Sequence, residues 1–443
     1  MARNYFIDED KPEYKYKFFV YPNITKQGEI EKDSYVAVMA NVIRALNKIR
    51  NDIHFTLVLP AYVESLKLPN VEQVIYDMPT HPNKMRTHFD SDKIINIIDS
   101  QNNDYDVVYS HLPEHTLQLS NLFVNHTDMN PLFIGYCHWY EIKENENYSK
   151  KNMFLSNIIG TLEMEECGVN SIWLKELIID RSKECFSKTV IDRLEKIIQP
   201  HYLGIDLINL NYRRPEKNSI IFNHRDDDYT GWNWFIEMLD DLWKVRQDFH
   251  LYTTQTDARR PYSTSISLPI REEYLKFLRN IYIGVGCFED YSAWSVATTD
   301  GLSQGVPYLL PNKLCYPEML GNYPLFYDGR EDFKSKLNNL LDSKVEVERA
   351  AEWLKPHLYD FLWENRVAHW FNDWKVLDEL RPVGRSDGYE RVLKFIKQKR
   401  SVTKAEIKKY MNWGTGIGFS KYRNLLRLEN GIKFTKDTYD FID

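Results

Sequence analysis

The sequence predicts an α/β chain in which two Rossmann-like domains are followed by a small C-terminal module of helices and a hairpin. Three observations lead there. Short continuous apolar runs rich in β-branched and aromatic residues alternate with helix-spaced segments through residues 17–195, the pattern of a parallel sheet covered on both faces. The same alternation restarts near residue 219. The C-terminal segment then changes character: Arg381 to Asp443 holds fifteen Lys and Arg against seven Asp and Glu, in a chain whose net charge is −7.

In the first half, Lys17–Val20 opens a strand. Ser34–Ile49 has helical spacing through Val36, Val38, Met39, Val42, Ile43 and Leu46. Strands follow at His54–Leu59, Gln73–Tyr76, Asp106–Tyr109 and Leu132–Tyr136. Gln199–Leu207 is a connector. The second half runs as strand Ser219–Phe222, helix Trp232–Val245, strand Phe249–Thr253, helix Glu272–Asn280, strand Ile281–Val285, a helix near Val296–Gln304 and strand Pro307–Leu310. Two such halves face each other across a cleft, with ligands beyond the strand ends. Val345–Leu380 is helical, and its stripe of Trp353, Phe361, Trp363, Trp370, Phe371 and Trp374 reads as core packing. The expected domains are 1–198, 199–380 with a return helix, and 385–443.

Composition narrows the class. Of 443 residues, 43% are hydrophobic and 27% charged, which suits a folded soluble protein. No apolar run approaches the ~20 residues of a membrane span, and the N-terminus lacks a signal-peptide core. The five cysteines are scattered and never spaced as CxxC, against a disulfide framework or structural zinc and in favour of the cytoplasm.

The richest chemical signal is Phe288–Leu320. A strand ends near Gly286, a loop follows, and a helix begins close to Trp294 and Ser295. The amides and dipole of such a helix N-terminus suit a diphosphate. Asp300, inside the helix, suits ribose hydroxyls, and Gly305-Val306-Pro307 turns the chain into the next strand. This segment resembles the C-terminal-domain signature of GT-B glycosyltransferases: two acidic residues eight positions apart, then Gly-x-Pro. Asp300 matches the second acidic position, which the resemblance makes the ribose binder. Ser292 stands at the first, with Glu289 and Asp290 as nearby substitutes. Asn223-His224-Arg225 ends a strand where the family carries an arginine on the donor diphosphate, a task its planar fork fits. The triplet is also similar to that of a group that mannosylates a modified tRNA base. Arg259 and Arg260 are candidates for the family's second cation. The implied donor is a UDP-sugar, and no obligatory metal or other cofactor is expected, with arginine and helix amides offsetting the phosphate charge instead.

On the acceptor side, His111, Glu114 and His115 follow one strand, and His138, Trp139 and Glu141 follow the next. A carboxylate or histidine can take the acceptor proton. Glu114 is the candidate base, with His111 beside it; by resemblance His138 lies near the donor sugar.

In the basic module, Ser386–Lys399 is an amphipathic helix with Tyr389, Val392, Leu393 and Ile396 on one face. Thr403-Lys404-Ala405-Glu406 is a capping box starting a second helix, and Ser420 caps a third. Ile432–Phe434 and Thr438–Ile442 flank a hairpin turn. The arrangement resembles a winged helix-turn-helix, with Lys404, Lys421, Arg423, Asn424, Arg427 and Lys436 as candidate nucleic-acid contacts. The joint expectation is sugar transfer to a hydroxymethylated pyrimidine in DNA, resembling bacteriophage DNA glycosyltransferases, in the host cytoplasm if phage-encoded. Two alternatives stand beside it: a transferase acting on tRNA or a glycan with the tail as a docking module, and a non-enzymatic DNA-binding sensor of nucleotide sugars.

Overall fold

The apolar run around Phe18–Tyr21 forms the middle of a sheet in the computed structural model, which describes residues 16–24, 33–50, 52–61, 63, 65–77, 86–101, 105–127, 129, 131–142, 148–206, 218–268, 270–374, 387–410, 426, 431–435 and 438–442. Strand β1 (Tyr16–Tyr21) lies between β2 (Ile53–Pro60) and β4 (Val107–Ser110). The sheet continues outward to β3 (Val71–Tyr76) on one side and through β5 (Leu132–Tyr136), β6 (Glu166–Val169) and β7 (Ile198–Pro200) on the other. All its pairings are parallel, and the order β3-β2-β1-β4-β5-β6-β7 reverses direction between β1 and β4. That is the doubly wound order.

The second lobe repeats the plan. Strands β8 (Ser219–Phe222), β9 (His250–Thr253), β10 (Ser263–Ser265), β11 (Ile283–Val285), β12 (Tyr308–Pro311) and β13 (Phe326–Tyr327) form a parallel sheet ordered β10-β9-β8-β11-β12-β13. Every residue of β8, β11 and β12 is buried, as strands covered on both faces require. Strands β6, β7, β10 and β13 were not foreseen. They are two to four residues long, and β10 (Ser-Thr-Ser) and β7 (Ile-Gln-Pro) offer no apolar run. Two residues of the expected connector, Gln199 and Pro200, thus belong to the last strand of the first sheet.

The lobes are tied at one crossing. Ile205 donates its N–H to the Phe361 carbonyl at 2.7 Å and bridges to Leu362. Gly204 lies so close that a Cβ there would come within 2.3 Å of the Trp363 ring. The predicted helical stretch is broken into helix Lys344–Leu358, a 3-10 turn Tyr359–Phe361 and helix Trp363–Trp374. The last helix returns to the first lobe and packs on helix Ser34–Ile49, with Lys48 and Glu364 paired between them. Phe361, Trp363 and Trp370 are buried. Trp370 stacks on Tyr136 at 5.2 Å and on His201 at 4.9 Å, so the aromatic stripe is core at these positions.

The C-terminal module has its own core of Val392, Leu393, Ile396, Val402, Ile407, Leu426 and Tyr439. Helix Asp387–Lys399 leads to β14 (Ser401–Thr403) and helix Lys404–Tyr410; β15 (Ile432–Thr435) and β16 (Thr438–Phe441) form the hairpin. The antiparallel order is β14-β16-β15, so the hairpin gains a third strand. The capping box forms as read: Glu406 accepts from the Thr403 N–H at 2.8 Å, while the Thr403 hydroxyl accepts from the Glu406 N–H at 3.2 Å. Lys404 heads that helix; Lys421, Arg423, Asn424, Arg427 and Lys436 lie outside the described residues. Among the described residues no helix is long and apolar enough to cross a membrane.

Candidate active site between the lobes

Parallel sheets of this kind open a crevice beyond the strand ends where the order reverses. In the second lobe that point lies between β8 and β11. There β8 runs out into Asn223-His224-Arg225, and the loop after β11 leads into helix Val296–Ser303. Both border a cavity of about 660 Å³ whose opposite wall belongs to the first lobe.

Local interactions fix the start of that helix. Ser295 is the N-cap, accepting from the Thr298 N–H at 3.4 Å and lying 3.4 Å from His224 Nδ1. Asn223 is wholly engaged: its amide nitrogen donates to the Ala297 carbonyl and the Tyr274 hydroxyl, each at 2.8 Å, and its oxygen accepts from Tyr308 at 3.2 Å. Asn223 therefore pins the helix to β8. Trp294, just before the cap, is buried with φ of 94°, a backbone state costly for a bulky residue. Gly305, with φ of 78°, terminates the helix as read from the Gly-x-Pro turn.

Asp300 is buried on this helix and lines the cavity. Arg271, the first residue of helix Arg271–Leu278, donates to its two oxygens at 2.7 and 3.2 Å. The Asp300 charge holds the Arg271 proton more tightly than usual. Arg225 lines the same cavity, is exposed, and makes no ion pair among the described residues. Ser292 is buried on the wall, 2.9 Å from the Tyr316 hydroxyl. Glu289, considered as its acidic substitute, is instead held by Arg330 at 2.7 and 2.6 Å and does not line the cavity.

From the first lobe comes Arg86, clamped by Glu114 and Glu141, each at 2.7 Å. Burial opposes its charge, but the carboxylates outweigh burial and raise its pKa. Asn157 donates to the other Glu114 oxygen at 2.8 Å. Arg86 and Glu141 face the cavity, whereas Glu114 does not line it. His138 lines it beside Tyr35, 4.8 Å between ring centres, and burial drives its pKa well below the ordinary histidine value. It is a neutral imidazole at physiological pH.

The lobes touch across this site. Trp139 meets Tyr291 at 4.6 Å and Tyr229 at 5.9 Å. Glu318 of the second lobe accepts from the Ile172 and Trp173 amides at 2.7 and 2.9 Å, capping first-lobe helix Ile172–Ser182.

The structure thus gathers His138, Asn223, Arg225, Ser292, Trp294, Ser295 and Asp300 at one cavity. It separates five other candidates from it. Glu114 and His115 are not in a loop but in the first turn of helix Pro113–Asn125, where Glu114 has both oxygens occupied. His111 is buried behind His138, 6.0 Å between ring centres; neither ring nitrogen has a partner among the described residues, and burial lowers its pKa to about 3. Arg259 is 85% exposed and paired with Asp257 at 3.4 Å. The reason is β10, which turns that loop along the sheet's outer edge, away from the reversal point. Arg260 is likewise held by Asp240 at 2.8 Å.

Sequence reasoning missed Arg86 and Arg271. Arg86 follows β3 with no periodic signal, and Arg271 with Glu272 and Glu273 reads as a solvated helix start. Among the described residues no group of three or more His, Cys, Asp or Glu is placed to share a metal ion.

No family model and no curated protein sequence matches the chain. Solved structures match its fold. Sucrose-phosphate synthase from Thermosynechococcus elongatus superposes with a TM-score of 0.62 at 10% identity, over 82% of this chain and 100% of that one. An α,α-trehalose-phosphate synthase (UDP-forming) from Burkholderia vietnamiensis gives 0.57 at 10% identity, over 82% and 97%. Anabaena Alr3699/HepE in complex with UDP and glucose gives 0.57 at 8% identity, over 81% and 99%. These neighbours are glycosyltransferases of the GT-B fold, and the chain shares that fold.

Proposed function

We propose that the chain is a glycosyltransferase that moves a sugar from a UDP-sugar to an acceptor hydroxyl in the inter-lobe cavity. One observation carries this reading: Arg225, without an ion pair among the described residues, the N-terminus of helix Val296–Ser303 and Asp300 converge on a single cavity. Arginine and helix amides suit a diphosphate. Asp300 spends one acceptor position per oxygen on Arg271 and keeps others for ribose hydroxyls. The similarity to a structure solved with UDP and glucose and to a UDP-forming synthase supports the choice of nucleotide.

In the transfer, the acceptor oxygen bonds to the anomeric carbon as that carbon's bond to the phosphate oxygen breaks, and UDP leaves with the electron pair. Arg225 and the helix dipole offset the charge growing on the diphosphate. His138, neutral, hydrogen-bonds the sugar. The carboxylate that takes the acceptor proton is Glu141, which faces the cavity, rather than Glu114, whose part is to hold Arg86.

The proposed acceptor is a hydroxymethylated pyrimidine in DNA. The fifteen-to-seven excess of basic residues after Arg381 supports a polyanionic partner. The helix, capping-box and hairpin pattern supports a winged-helix module. Trp139, Tyr229 and Tyr291 at the cavity supply aromatic faces for a base taken out of its stack. Mass spectrometry of modified and unmodified DNA, incubated with a panel of nucleotide sugars, tests the assignment. One sugar gained on modified DNA alone, and lost with Arg225→Ala, is expected. Transfer to tRNA or a glycan instead refutes the DNA acceptor; no transfer to any hydroxyl refutes the enzyme.

A further inference from the structure

A second depression, of about 710 Å³, shares no lining residue with the inter-lobe cavity. Its walls come from the end of helix Lys344–Leu358, the turn Tyr359–Phe361, the start of helix Trp363–Trp374 and residues Met319–Asn322. It therefore sits against the crossing where Ile205 bonds Phe361.

Its central feature is Arg366. The guanidinium carbon lies 4.2 Å from the Phe361 ring centre and 5.2 Å from that of Tyr202. Nε is buried without a hydrogen-bond partner, and among the described residues no carboxylate forms an ion pair with Arg366. Burial lowers its pKa, as for a desolvated cation short of counter-charge. Asp360, the single carboxylate among the lining residues, is exposed and forms no ion pair with it.

The surrounding His357, Asn365 and His369 bring polar groups and no negative charge to the wall. His357 donates Nδ1–H to the Trp353 carbonyl at 2.7 Å, which leaves Nε2 available, and its ring lies flat on the Trp353 indole at 3.7 Å. Asn365 donates one amide hydrogen to the Tyr359 carbonyl at 2.8 Å, and its second has no partner among the described residues. His369 adds a second imidazole to the wall. A half-buried guanidinium with spare N–H donors is a phosphate receptor by its chemistry.

We propose that this depression binds a small phosphate-bearing ligand, with the phosphate on Arg366. Its place in the fold makes it an effector site. Arg366 faces Tyr202, Tyr202 lies beside the Glu318 carboxylate, and Glu318 caps the first-lobe helix Ile172–Ser182. An anion drawn to Arg366 thus acts on a chain of contacts joining the two lobes. The inference is independent of the transfer reaction.

The test is isothermal titration of the full chain with inorganic phosphate and, separately, with a hexose phosphate. Wild type, Arg225→Ala, Arg366→Gln and Asn365→Asp are compared. Binding should survive Arg225→Ala and weaken on the order of 10- to 100-fold in Arg366→Gln. Asn365→Asp adds a negative charge at an exposed position, so it leaves the core untouched and should weaken binding several-fold; it decides the matter if Arg366→Gln does not fold. Tighter binding of the hexose phosphate identifies a sugar phosphate as the source, and equal binding identifies the phosphate group alone. Binding that is lost in Arg225→Ala but unchanged in Arg366→Gln and Asn365→Asp overturns the site, as does failure of both probes to bind.

Discussion

Both terminal nitrogens of Arg271 hold the Asp300 carboxylate, at 2.7 and 3.2 Å, beside the N-terminal turn of helix Val296–Ser303. The carboxylate proposed to meet the ribose is thereby oriented before any ligand arrives, by a residue twenty-nine positions earlier on a neighbouring helix. Asp206 lies near the same pair, and burial raises its pKa.

The pair yields a coupling prediction. Arg271→Ala leaves Asp300 buried without its counter-charge and should cost about 1–3 kcal/mol of stability. Adding Asp300→Ala to Arg271→Ala should recover part of that loss, because the stranded charge is gone. Urea unfolding of the two single variants and the double variant measures the coupling. Strict additivity would show that the pair does not act as a unit.

Arg225 should behave in the opposite way. It is exposed and makes no ion pair among the described residues, so Arg225→Ala should change stability by no more than about 0.5 kcal/mol. Its effect should fall on donor binding, weakened roughly 10- to 100-fold by loss of a charge-assisted phosphate contact. Thermal unfolding and titration with UDP separate the two effects.

These residues also show what the sequence made legible. Arg225 and Asp300 could be read because each is tied to a local pattern: a strand end, and a helix closed by Gly-x-Pro. The central strands could be read because burial on both faces demands continuous apolar runs. Arg271 and Arg86 could not, since what makes them part of the site is the strand order, which brings residues 86, 138, 225 and 271 to one cavity and leaves no periodic trace. Arg259 and Glu114 were misplaced for the same reason. Both follow apolar strands as expected, but the unforeseen β10 carries Arg259 to the sheet edge, and helix Pro113–Asn125 turns Glu114 to the back of Arg86.

Glu114 and Glu141 share Arg86 yet should fail differently. Glu114 is buried and bonded at both oxygens, so Glu114→Gln should cost stability, about 3 kcal/mol, with lower turnover following from a misplaced Arg86. Glu141 faces the cavity, so Glu141→Gln should be milder in unfolding and should lower turnover on the order of 100-fold or more. Turnover kept within a few-fold of wild type would refute the base assignment.

The buried histidines predict acid sensitivity. Burial lowers His111 and His224 to about 3 and His115 to about 4, against about 6.5 in an unfolded chain. As pH falls below about 6.5 the unfolded state takes up these protons and the folded state does not. Stability present above that pH is therefore lost progressively towards pH 4, by up to about 1.4 kcal/mol per pH unit for each site. His111→Phe should flatten the slope by one proton, and it removes two buried nitrogens that have no partner among the described residues. Turnover should be unchanged, because His111 lies behind the cavity wall. Urea midpoints taken across pH 4–7, with initial rates, check both halves.

The basic module makes the last prediction, and its sign depends on salt rather than pH. Residues from Arg381 onward carry +8, leaving −15 for the rest of the chain, so attraction to a polyanion belongs to the module alone. Duplex binding by it should be steeply salt-dependent, because each phosphate neutralised releases condensed counterions. Each neutralised phosphate contributes a slope of about −0.9 in log K against log salt. Replacing Lys421, Arg423 and Arg427 together by alanine should make the slope shallower by roughly 3 if each meets one phosphate. Ending the chain after residue 380 should abolish duplex binding while leaving UDP affinity intact, since no residue of the cavity lies beyond Asp300. Fluorescence anisotropy with a labelled duplex over a salt series gives the slope. An unchanged slope in the triple variant, with binding retained, would move the contact surface away from these three residues. Undiminished binding by the truncated chain would remove the module from DNA recognition altogether and leave its charge to serve attraction to the acidic body.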